Sequence, residues 1–439
     1  DAAGLASVNV FHAGDGNLHP NFLFDSRKEG DFEKVEAIGK RLMQRVVDVG
    51  GTLSGEHGIG NDKSSYMPLV FGPDAMRMQL AVPGIFNARH QLNPLKVFEV
   101  RRFSSTTGDG TDPSTERGSE TSTERNHELR DPRCFDPFLD DIDGVVCLSA
   151  DSSASDIAAL AEPHRLRFPL LLDNEATLLE QVASSGFASA SGRFGPYCDN
   201  ILGMNWQLPD GRVVRLGERV VKTTTGYDLF RFFLGSGDRF GRPIDYVLRL
   251  RPICEVNGVF RLTGTVSAVR AAVSELLASC WMHWLDSIDY LIDEAASSER
   301  ELRIVVNAQS HEWAQFDSYI TSFGAQNGLQ VVVERDVSTP LDGCPDVALK
   351  TSPEKLIELA EDVAVTGMRC VALCGCGVLH GFSRSGNSPV DQVGEVIRRF
   401  AARVHETGGD WQSRLAPQDP PTSLEAEWIG IFEKGLSRP

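Results

Sequence analysis

Two short stretches near the start of the chain carry the side chains best suited to binding a metal ion. HAGDGNLHPN, residues 12–21, has two histidines around a turn, and GGTLSGEHGIG, residues 50–60, places an acid beside a histidine. Two imidazoles and one carboxylate leave coordination positions open for a small molecule. We therefore expect His12, His19 and Glu56 to hold one divalent ion, with zinc, iron and manganese all compatible.

The pair Asp15-Gly16 predicts how the two histidines come together. Both residues favour positive φ, and the pair is typical of a two-residue hairpin turn between short strands. This turn would place His12 directly opposite His19, at roughly 5 Å between their Cβ atoms. Asn21 lies on the same face of the strand and can contact a ligand bound at the metal. A lone histidine in a strand is usually structural, so the acidic loop is needed for the metal interpretation.

The loop at residues 50–60 is predicted to bring Glu56 to the ion and His57 to the bound molecule. Its glycines allow close backbone approach and unusual dihedral angles. Glu56 supplies a carboxylate oxygen, and the adjacent His57 is then available as a general base. The alternative for His57 is a histidine that only orients the loop.

A helix is predicted between these two stretches. Apolar residues at helical spacing run from Phe32 to Val49, and Gly50-Gly51 ends the helix. On the hairpin, Phe11 and Leu18 point away from the histidines and are expected to enter the core.

Three motifs in residues 1–98 resemble the C-terminal cap of the FAD-linked oxidases, a family that includes glycolate oxidase, D-lactate dehydrogenase and D-2-hydroxyglutarate dehydrogenase. The motifs are HAGDGNLHPN, GGTLSGEHGIG and FNARHQLNPLKVF. One residue departs from the family, since Leu95 stands where glycine is usual.

The same resemblance implies a role for each candidate residue. His12, His19 and Glu56 correspond to metal ligands, and Asn21 corresponds to a substrate contact. His57 corresponds to the residue that binds the substrate and takes its hydroxyl proton.

Residues 135–439 resemble a second member of the family, the smaller FAD-binding subunit of glycolate oxidase. The resemblance rests on SGRFGPYCDNILG at residues 191–203, VVKTTTGYDLFRFFLGS at residues 220–236, and the strand YVLRLRP that ends at Pro252. It implies flavin contacts at four small residues, which are Ser191, Gly192, Gly195 and Gly226.

This second resemblance has departures that weaken the expected cofactor site. The first phosphate-binding glycine loop is missing, and NEATLLEQVASSG has bulky residues where close approach to a cofactor needs glycine. Pro243 removes a backbone N–H donor. Lys222, Tyr227 and Asp228 have an alternative role, in which an ion pair and a packed ring hold the fold together.

The chain is predicted to contain four segments. Residues 1–100 form the oxidase cap with the metal and substrate site, and residues 101–130, rich in Ser, Thr, Gly, Asp and Glu, form a disordered linker. Residues 131–253 form a degenerate FAD-binding domain, and residues 254–439 form a second cap-like domain without metal ligands.

A weak internal repeat supports the last assignment. FHAGDGNLH in the first segment matches ALCGCGVLH in the last. Leu373 stands in the position of His12, and only His380 survives, in the position of His19. The repeat therefore predicts a single chemical site.

The expected fold class is α+β. The resemblance implies a ferredoxin-like oxidase cap, followed by a degenerate vanillyl-alcohol-oxidase-type FAD-binding domain with a second cap. In the last segment, ELRIVVNA and LQVVVERD are predicted strands, and helices are predicted from Pro353 and at residues 391–405.

Composition excludes some classes of partner. A formal charge of −18 over 439 residues argues against nucleic acid. No apolar run approaches the roughly 20 residues that a membrane span requires. Nine cysteines form no disulfide framework, which favours a reducing, cytoplasmic location. Partner proteins are expected to allow peripheral attachment of the protein to the inner membrane. Cys370, Cys374 and Cys376 are interpreted as buried strand residues rather than zinc ligands.

The resemblance implies FAD-dependent oxidation of a small 2-hydroxy acid of the glycolate or D-lactate type. His57 takes the hydroxyl proton with help from the divalent metal, and hydride passes from the α-carbon to FAD. The flavin would come from a segment preceding Asp1, from a partner chain or from residues 135–252. An iron–sulfur subunit and other oxidase subunits are expected partners. The competing hypothesis is a non-catalytic assembly subunit.

Overall fold

The computed structural model describes residues 4–86, 93, 96–98, 131, 133–335, 342–383 and 412–413. The predicted linker at residues 101–130, the predicted helix at residues 391–405, and Leu95 lie outside the described residues.

The strands are numbered along the chain. They are β1 (Ala6–His12), β2 (Asn17–Leu23), β3 (Phe138–Asp140), β4 (Val145–Ser149), β5 (Leu166–Arg167), β6 (Ile201–Gln207), β7 (Val213–Gly217), β8 (Arg242–Arg249), β9 (Arg251–Pro252), β10 (Val256–Thr265), β11 (Leu285–Ile292), β12 (Glu299–Ala308), β13 (Gln330–Arg335), β14 (Val347–Lys350), β15 (Arg369–Leu373), β16 (Val378–Phe382) and β17 (Gln412–Ser413).

The α-helices are numbered in the same way. They are α1 (Asp31–Asp48), α2 (Met67–Val70), α3 (Pro73–Phe86), α4 (Ala154–Ala161), α5 (Leu178–Ser184), α6 (Ser191–Phe194), α7 (Tyr197–Asn200), α8 (Leu229–Leu234), α9 (Val266–Leu277), α10 (Ser310–Asn327) and α11 (Pro353–Ala364).

The chain divides into two compact units, each assembled from separate stretches of sequence. Unit 1 consists of Asp1–Pro137, Leu202–Val247 and Thr422–Pro439, and unit 2 consists of Phe138–Ile201 and Leu248–Pro421. The division into four sequential segments stays a prediction. In the structure, residues 202–247 form one compact unit with the N-terminal stretch. This grouping matters for the candidate site, which lies wholly in unit 1.

In unit 1 the hairpin β1–β2 has a register different from the predicted one. His12 pairs with Asn17 and Val10 pairs with His19, so the prediction that His12 lies directly opposite His19 is wrong. Asp15 is not among the residues with positive φ, which a two-residue turn of the predicted type requires at both positions. A four-residue turn forms instead, closed by the N–H of Gly16 donating to the carbonyl of His12 at 3.0 Å.

The altered register still keeps both histidines on one face. The pairing slips by two residues, and only an odd slip would move a side chain to the other face. The opposite face was expected to enter the core, and that prediction is wrong: Phe11 is 65% exposed and Leu18 is 49% exposed. β1 and β2 pair only with each other among the described strands.

Helix α1 leads from the hairpin to the loop at residues 50–60. As predicted, two glycines end the helix: Gly50 adopts φ +87°, and the N–H of Gly51 donates to the carbonyl of Val46 at 2.8 Å. Leu53 and Ile59, one near each end of the loop, are buried in an apolar cluster with Met67, Val70 and Phe98. These anchors fix the loop while its middle stays at the surface.

Unit 1 also contains strands from the middle of the sequence. β6 lies between β8 and β7, and β6 pairs antiparallel with β7. The stretch that follows β7 leads through Lys222 and Gly226 to α8.

Unit 2 is built on an eight-stranded sheet with the strand order β13-β10-β12-β11-β15-β16-β14-β17. Its pairs are antiparallel, and helices α9, α10 and α11 bury their apolar faces against it. ELRIVVNA and LQVVVERD form β12 and β13 as predicted, and α11 begins at Pro353 after Ser352. Antiparallel sheets with separate helices confirm the α+β class.

The internal repeat is visible as two hairpins of equal register. In β15–β16, Leu373 pairs with Val378 and Val371 pairs with His380, at the positions that His12, Asn17, Val10 and His19 occupy in β1–β2. Gly16 and Gly377 adopt φ +72° and +74° at the same point of each turn. Both hairpins therefore use one turn geometry.

Among the described residues, no helix combines the length and the apolarity that crossing a bilayer would require.

Candidate metal and substrate site

Hairpin β1–β2 brings the two predicted histidine ligands together at its turn end. The ring centroids of His12 and His19 lie 5.3 Å apart, with the rings nearly perpendicular. Because His19 is the diagonal neighbour of His12 rather than its direct partner, the imidazoles meet edge to face. The His12 side chain is 54% exposed and the His19 side chain is 24% exposed, so both are accessible to an ion.

Glu56 reaches the histidines from the glycine-rich loop. Its Oε2 lies 3.8 Å from Nε2 of His12 and 3.6 Å from Nε2 of His19. One ligand atom from each of the three residues lies within 4.8 Å of the others. Ligand atoms about 2.1 Å from a tetrahedral ion are separated by ~3.4 Å, so small side-chain rotations close the set around one ion.

His57 follows Glu56 but occupies a different position. Its ring centroid is 5.4 Å from that of His19, with the rings nearly perpendicular. The side chain is exposed. His57 is therefore exposed and next to the candidate ligand set, where a molecule bound there would be within reach.

The two asparagines of β2 differ in their contacts. Asn21, the predicted substrate contact, donates from Nδ2 to the carbonyls of His19 at 3.0 Å and Val8 at 3.3 Å. Asn17 was not predicted to belong to the site, yet its Nδ2 lies 3.3 Å from Nε2 of His19. Asn17 also hydrogen bonds to Glu56, which contributes to the lowered pKa of that carboxyl.

Lys222 is the second site residue that sequence reasoning missed. Its Nζ donates to Oε1 of Glu56 at 2.5 Å and lies 3.4 Å from Oδ2 of Asp15. This ammonium is the main cause of the lowered pKa of Glu56, and the carboxylate in turn raises the pKa of Lys222. A backbone N–H from Asn17 is the main cause of the lowered pKa of Asp15. The acids are therefore anionic at neutral pH.

The proposed structural role of the Lys222 motif is only partly observed. Lys222 pairs with Glu56 rather than with Asp228, which instead caps α8 and pairs with Arg231. Tyr227 does pack its ring, at 5.8 Å from the ring of Phe98. No sequence signal connected Lys222 with Glu56, because 166 residues separate them.

The predicted flavin contacts are divided between the two units. Ser191 and Gly192 lie at the start of α6 in unit 2, and Gly195 ends that helix with φ +83°. A side chain on Gly192 would meet the backbone of Gly375 at 2.8 Å. In unit 1, a side chain on Gly226 would meet the side chains of Gln79 and Phe71 at 3.0 and 3.1 Å. Close contacts with other protein atoms thus explain why Gly192 and Gly226 have no side chain.

Residue His380, the surviving histidine of the repeat, has a different environment in unit 2. It is 1% exposed, and its Nε2 lies 2.9 Å from Oγ of Ser185. Its hairpin neighbours Val371, Leu373 and Val378 belong to an apolar cluster. The second hairpin therefore has an apolar face where the first has its candidate ligands.

Three cysteines lie in or beside the second hairpin, of which Cys370 and Cys374 are buried and Cys376 is partly buried. Burial raises the pKa of Cys370 and Cys376 to about 12, and raises that of Cys374 as well. Their thiols are thus protonated at neutral pH, which agrees with a packing role.

The sequence of residues 1–97 matches the family described as FAD linked oxidases, C-terminal domain. The resemblance expected for residues 1–98 is therefore confirmed, and the ligand geometry described above lies within the matched stretch. The likeness of residues 135–439 to the smaller FAD-binding subunit stays an interpretation.

Curated relatives match over the same stretch. The glycolate oxidase subunit GlcD of Escherichia coli (strain K12) is 45% identical over 92 residues, which cover 21% of this chain and 18% of the relative. D-lactate dehydrogenase of Anaerostipes hadrus is 39% identical over 87 residues, which cover 20% of this chain and 18% of the relative. D-2-hydroxyglutarate dehydrogenase of Stutzerimonas stutzeri (strain A1501) is 34% identical over 89 residues, covering 20% and 19%. The chain thus spans under a fifth of the length of these relatives.

Two solved structures have a distant likeness to a larger part of the chain. An alkyldihydroxyacetonephosphate synthase matches with a TM-score of 0.47 and 11% identity, covering 69% of this chain and 64% of its own. A VAO-type flavoprotein from Myceliophthora thermophila C1 matches with a TM-score of 0.43 and 15% identity, covering 65% and 58%. These scores are too low to assign a fold.

Proposed function

We propose that unit 1 carries the metal and substrate site of an FAD-dependent oxidoreductase that acts on small 2-hydroxy acids. The observation that supports this most strongly is the convergence of two imidazoles and one carboxylate within 4.8 Å, inside residues matching the FAD-linked oxidase C-terminal domain. Two nitrogen ligands and one oxygen ligand suit zinc, iron or manganese. His12, His19 and Glu56 hold the ion and leave positions open for the substrate.

The chemistry of the site divides between the ion and one histidine. A divalent ion at these ligands supplies Lewis acidity, which stabilises negative charge on a bound hydroxyl oxygen. His57, beside the open side of the ligand set, accepts the proton of that hydroxyl. Asn21 lies on the ligand face of β2 and is proposed to contact the substrate through its carbonyl oxygen, since its amide group is held by the backbone.

At three of the four predicted flavin contacts, the described residues have close protein neighbours. A side chain on Gly192 would meet Gly375 and one on Gly226 would meet Gln79, so protein packing is sufficient to account for glycine at both positions. The hydroxyl of Ser191 accepts the N–H of Ala188 at 2.9 Å. We propose that FAD is bound by another part of the oxidase, and that an iron–sulfur subunit receives the electrons.

Replacement of His57 in the complete oxidase tests the proposed base. The His57→Ala variant is assayed by dye reduction with glycolate and with D-lactate. We expect a loss of roughly 10²- to 10⁴-fold in kcat, because a positioned base contributes about this much. Metal content should be retained, and unchanged turnover would remove His57 from the mechanism.

Replacement of His12 tests the ligand set itself. The His12→Ala variant should lose bound metal, with His283→Ala, an exposed histidine of unit 2, as the matched control. Full retention of metal in His12→Ala would overturn the assignment.

The second candidate function is a non-catalytic assembly subunit. It is favoured by the predicted flavin-contact glycines Gly192 and Gly226, whose close neighbours are protein atoms. Purified oxidase complex in which this chain binds neither metal nor flavin, with turnover unaffected by His57→Ala, would support this candidate over the enzyme.

A further inference from the structure

The segment Lys222–Thr225 lies against the loop that carries Glu56. The two stretches are about 170 residues apart in sequence, but both belong to unit 1. The segment is part of a motif for which the sequence suggested either a flavin contact or a structural turn. Its hydrogen bonds go instead to the metal-ligand loop.

Lys222 and the two histidines contact different oxygens of the same carboxylate. Oε1 of Glu56 accepts a hydrogen bond from Nζ of Lys222 at 2.5 Å. Oε2 is the oxygen that faces His12 and His19, at 3.8 and 3.6 Å. A carboxylate held at one oxygen has a restricted rotation, so Lys222 keeps the other oxygen directed toward the imidazoles.

The threonines of the segment hold the loop on both sides of the acid. The N–H of Thr224 donates to the carbonyl of Ser54 at 2.8 Å, and the N–H of Gly58 donates to Oγ1 of Thr224 at 3.1 Å. The N–H of Ser54 and the hydroxyl of Thr52 both donate to Oγ1 of Thr225, at 3.1 and 2.7 Å. Ser54 and Gly58 are each two residues from Glu56, so the clamp brackets the ligand.

We propose that Lys222–Thr225 is a clamp that positions the Glu56 loop for metal binding, with Lys222 as a positioning residue. The proposal rests on the proposed function, because it takes Glu56 to be a metal ligand. A lysine beside a divalent ion also repels it, but Lys222 is 45% exposed and solvent screens that repulsion. The proposal takes the orienting effect to be the larger of the two, and the measurements below decide between them.

Metal affinity of matched lysine variants tests the positioning role. Lys222→Met and Lys222→Arg are compared in the full chain with Lys34→Met, which removes an ammonium of the same 45% exposure, 3.0 Å from Asp31. Dissociation constants for zinc and manganese are measured by chelator competition. We expect Lys222→Met to bind roughly 10- to 100-fold more weakly, as for other residues that orient metal ligands. Lys222→Arg should recover most of the affinity, and Lys34→Met should equal the wild type.

Two outcomes would overturn the positioning role. Unchanged affinity in Lys222→Met would mean that the ammonium does not orient Glu56. Tighter binding would mean that it competes with the ion.

Hydrogen exchange separates this proposal from the proposed function. Thr225→Val keeps the shape of the side chain but leaves the N–H of Ser54 without its acceptor. In the metal-free protein, the backbone amides of residues 52–58 should exchange faster in Thr225→Val and Lys222→Met than in Lys34→Met. If the wild type binds no metal, the proposed function fails while the exchange rates still test the clamp. If exchange is unchanged, the clamp is refuted even where metal binds.

Discussion

Acidification should destabilise unit 2 through one buried histidine. Burial lowers the pKa of His380 from 6.5 to about 4, an effect that the nearby Asp342 opposes only in part. The folded protein therefore keeps the imidazole neutral at pH 5, whereas the unfolded chain takes up a proton. Stability that depends on His380 is fully present above pH 6.5 and is lost as the pH falls toward 4.

The size of the effect follows from the shift. Between pH 7 and pH 5 the difference in proton uptake amounts to about 2 kcal/mol of unfolding free energy, and to about 3 kcal/mol once the pH is below 4. His380→Gln retains a hydrogen-bonding group beside Ser185 but does not titrate. The difference in pH dependence between the wild type and this variant isolates His380, because the other groups titrate in both.

Urea unfolding of the full chain at pH 5, 6 and 7 measures the effect. Between pH 7 and pH 5, the unfolding free energy of the wild type should fall by about 2 kcal/mol more than that of His380→Gln. Parallel pH profiles for the two proteins would refute the reasoning, since they would mean that the imidazole is protonated in the folded state. His380 in the second hairpin would then be accessible to solvent in the way that His19 in the first hairpin is.

Three further substitutions have definite expected outcomes. Burial raises the pKa of Glu218 to about 7. The stability that Glu218 contributes to the folded protein is therefore present below pH 4.5 and is lost as the pH rises through 7. Glu218→Gln should remove up to about 3 kcal/mol of this pH dependence of the unfolding free energy, measured by urea unfolding. Gly55→Ala puts a Cβ 2.9 Å from Oδ1 of Asn17, and a zinc titration should show roughly tenfold weaker binding, because Asn17 contacts His19. Gly192→Ala should lower the unfolding free energy by about 1–3 kcal/mol, since the added Cβ meets the backbone of Gly375. If this variant instead keeps its stability but loses bound flavin, Gly192 contacts the flavin as the sequence predicted.

The grouping of His12, His19 and Glu56 could be predicted from sequence because the signals for it are local. A histidine on each arm of a hairpin and an acid in a glycine-rich loop suffice to suggest a metal site. The register was wrong because the Asp15-Gly16 pair was taken as the whole turn. Asp15 instead accepts the N–H of Asn17 at 3.1 Å, and a four-residue turn forms. The shared face was still correct, because the slip was by an even number of residues.

The surroundings of the ligands could not be predicted from local pattern. Lys222 reaches Glu56 only because residues 202–247 fold into unit 1 with the N-terminal stretch. Neither spacing nor periodicity reports a contact of that range. The exposure of Phe11 was likewise missed, because an apolar residue in a strand reveals its face but not whether another layer covers it.

The central claim is that one ion binds between His12, His19 and Glu56. X-ray absorption at the zinc edge of the zinc-loaded protein tests this most directly, with Glu56→Gln as the comparison. We expect one ion per chain with two imidazole nitrogens at about 2.0–2.1 Å and a carboxylate oxygen that is lost in the variant. A bound ion without imidazole ligands, or the same spectrum for both proteins, would contradict the account.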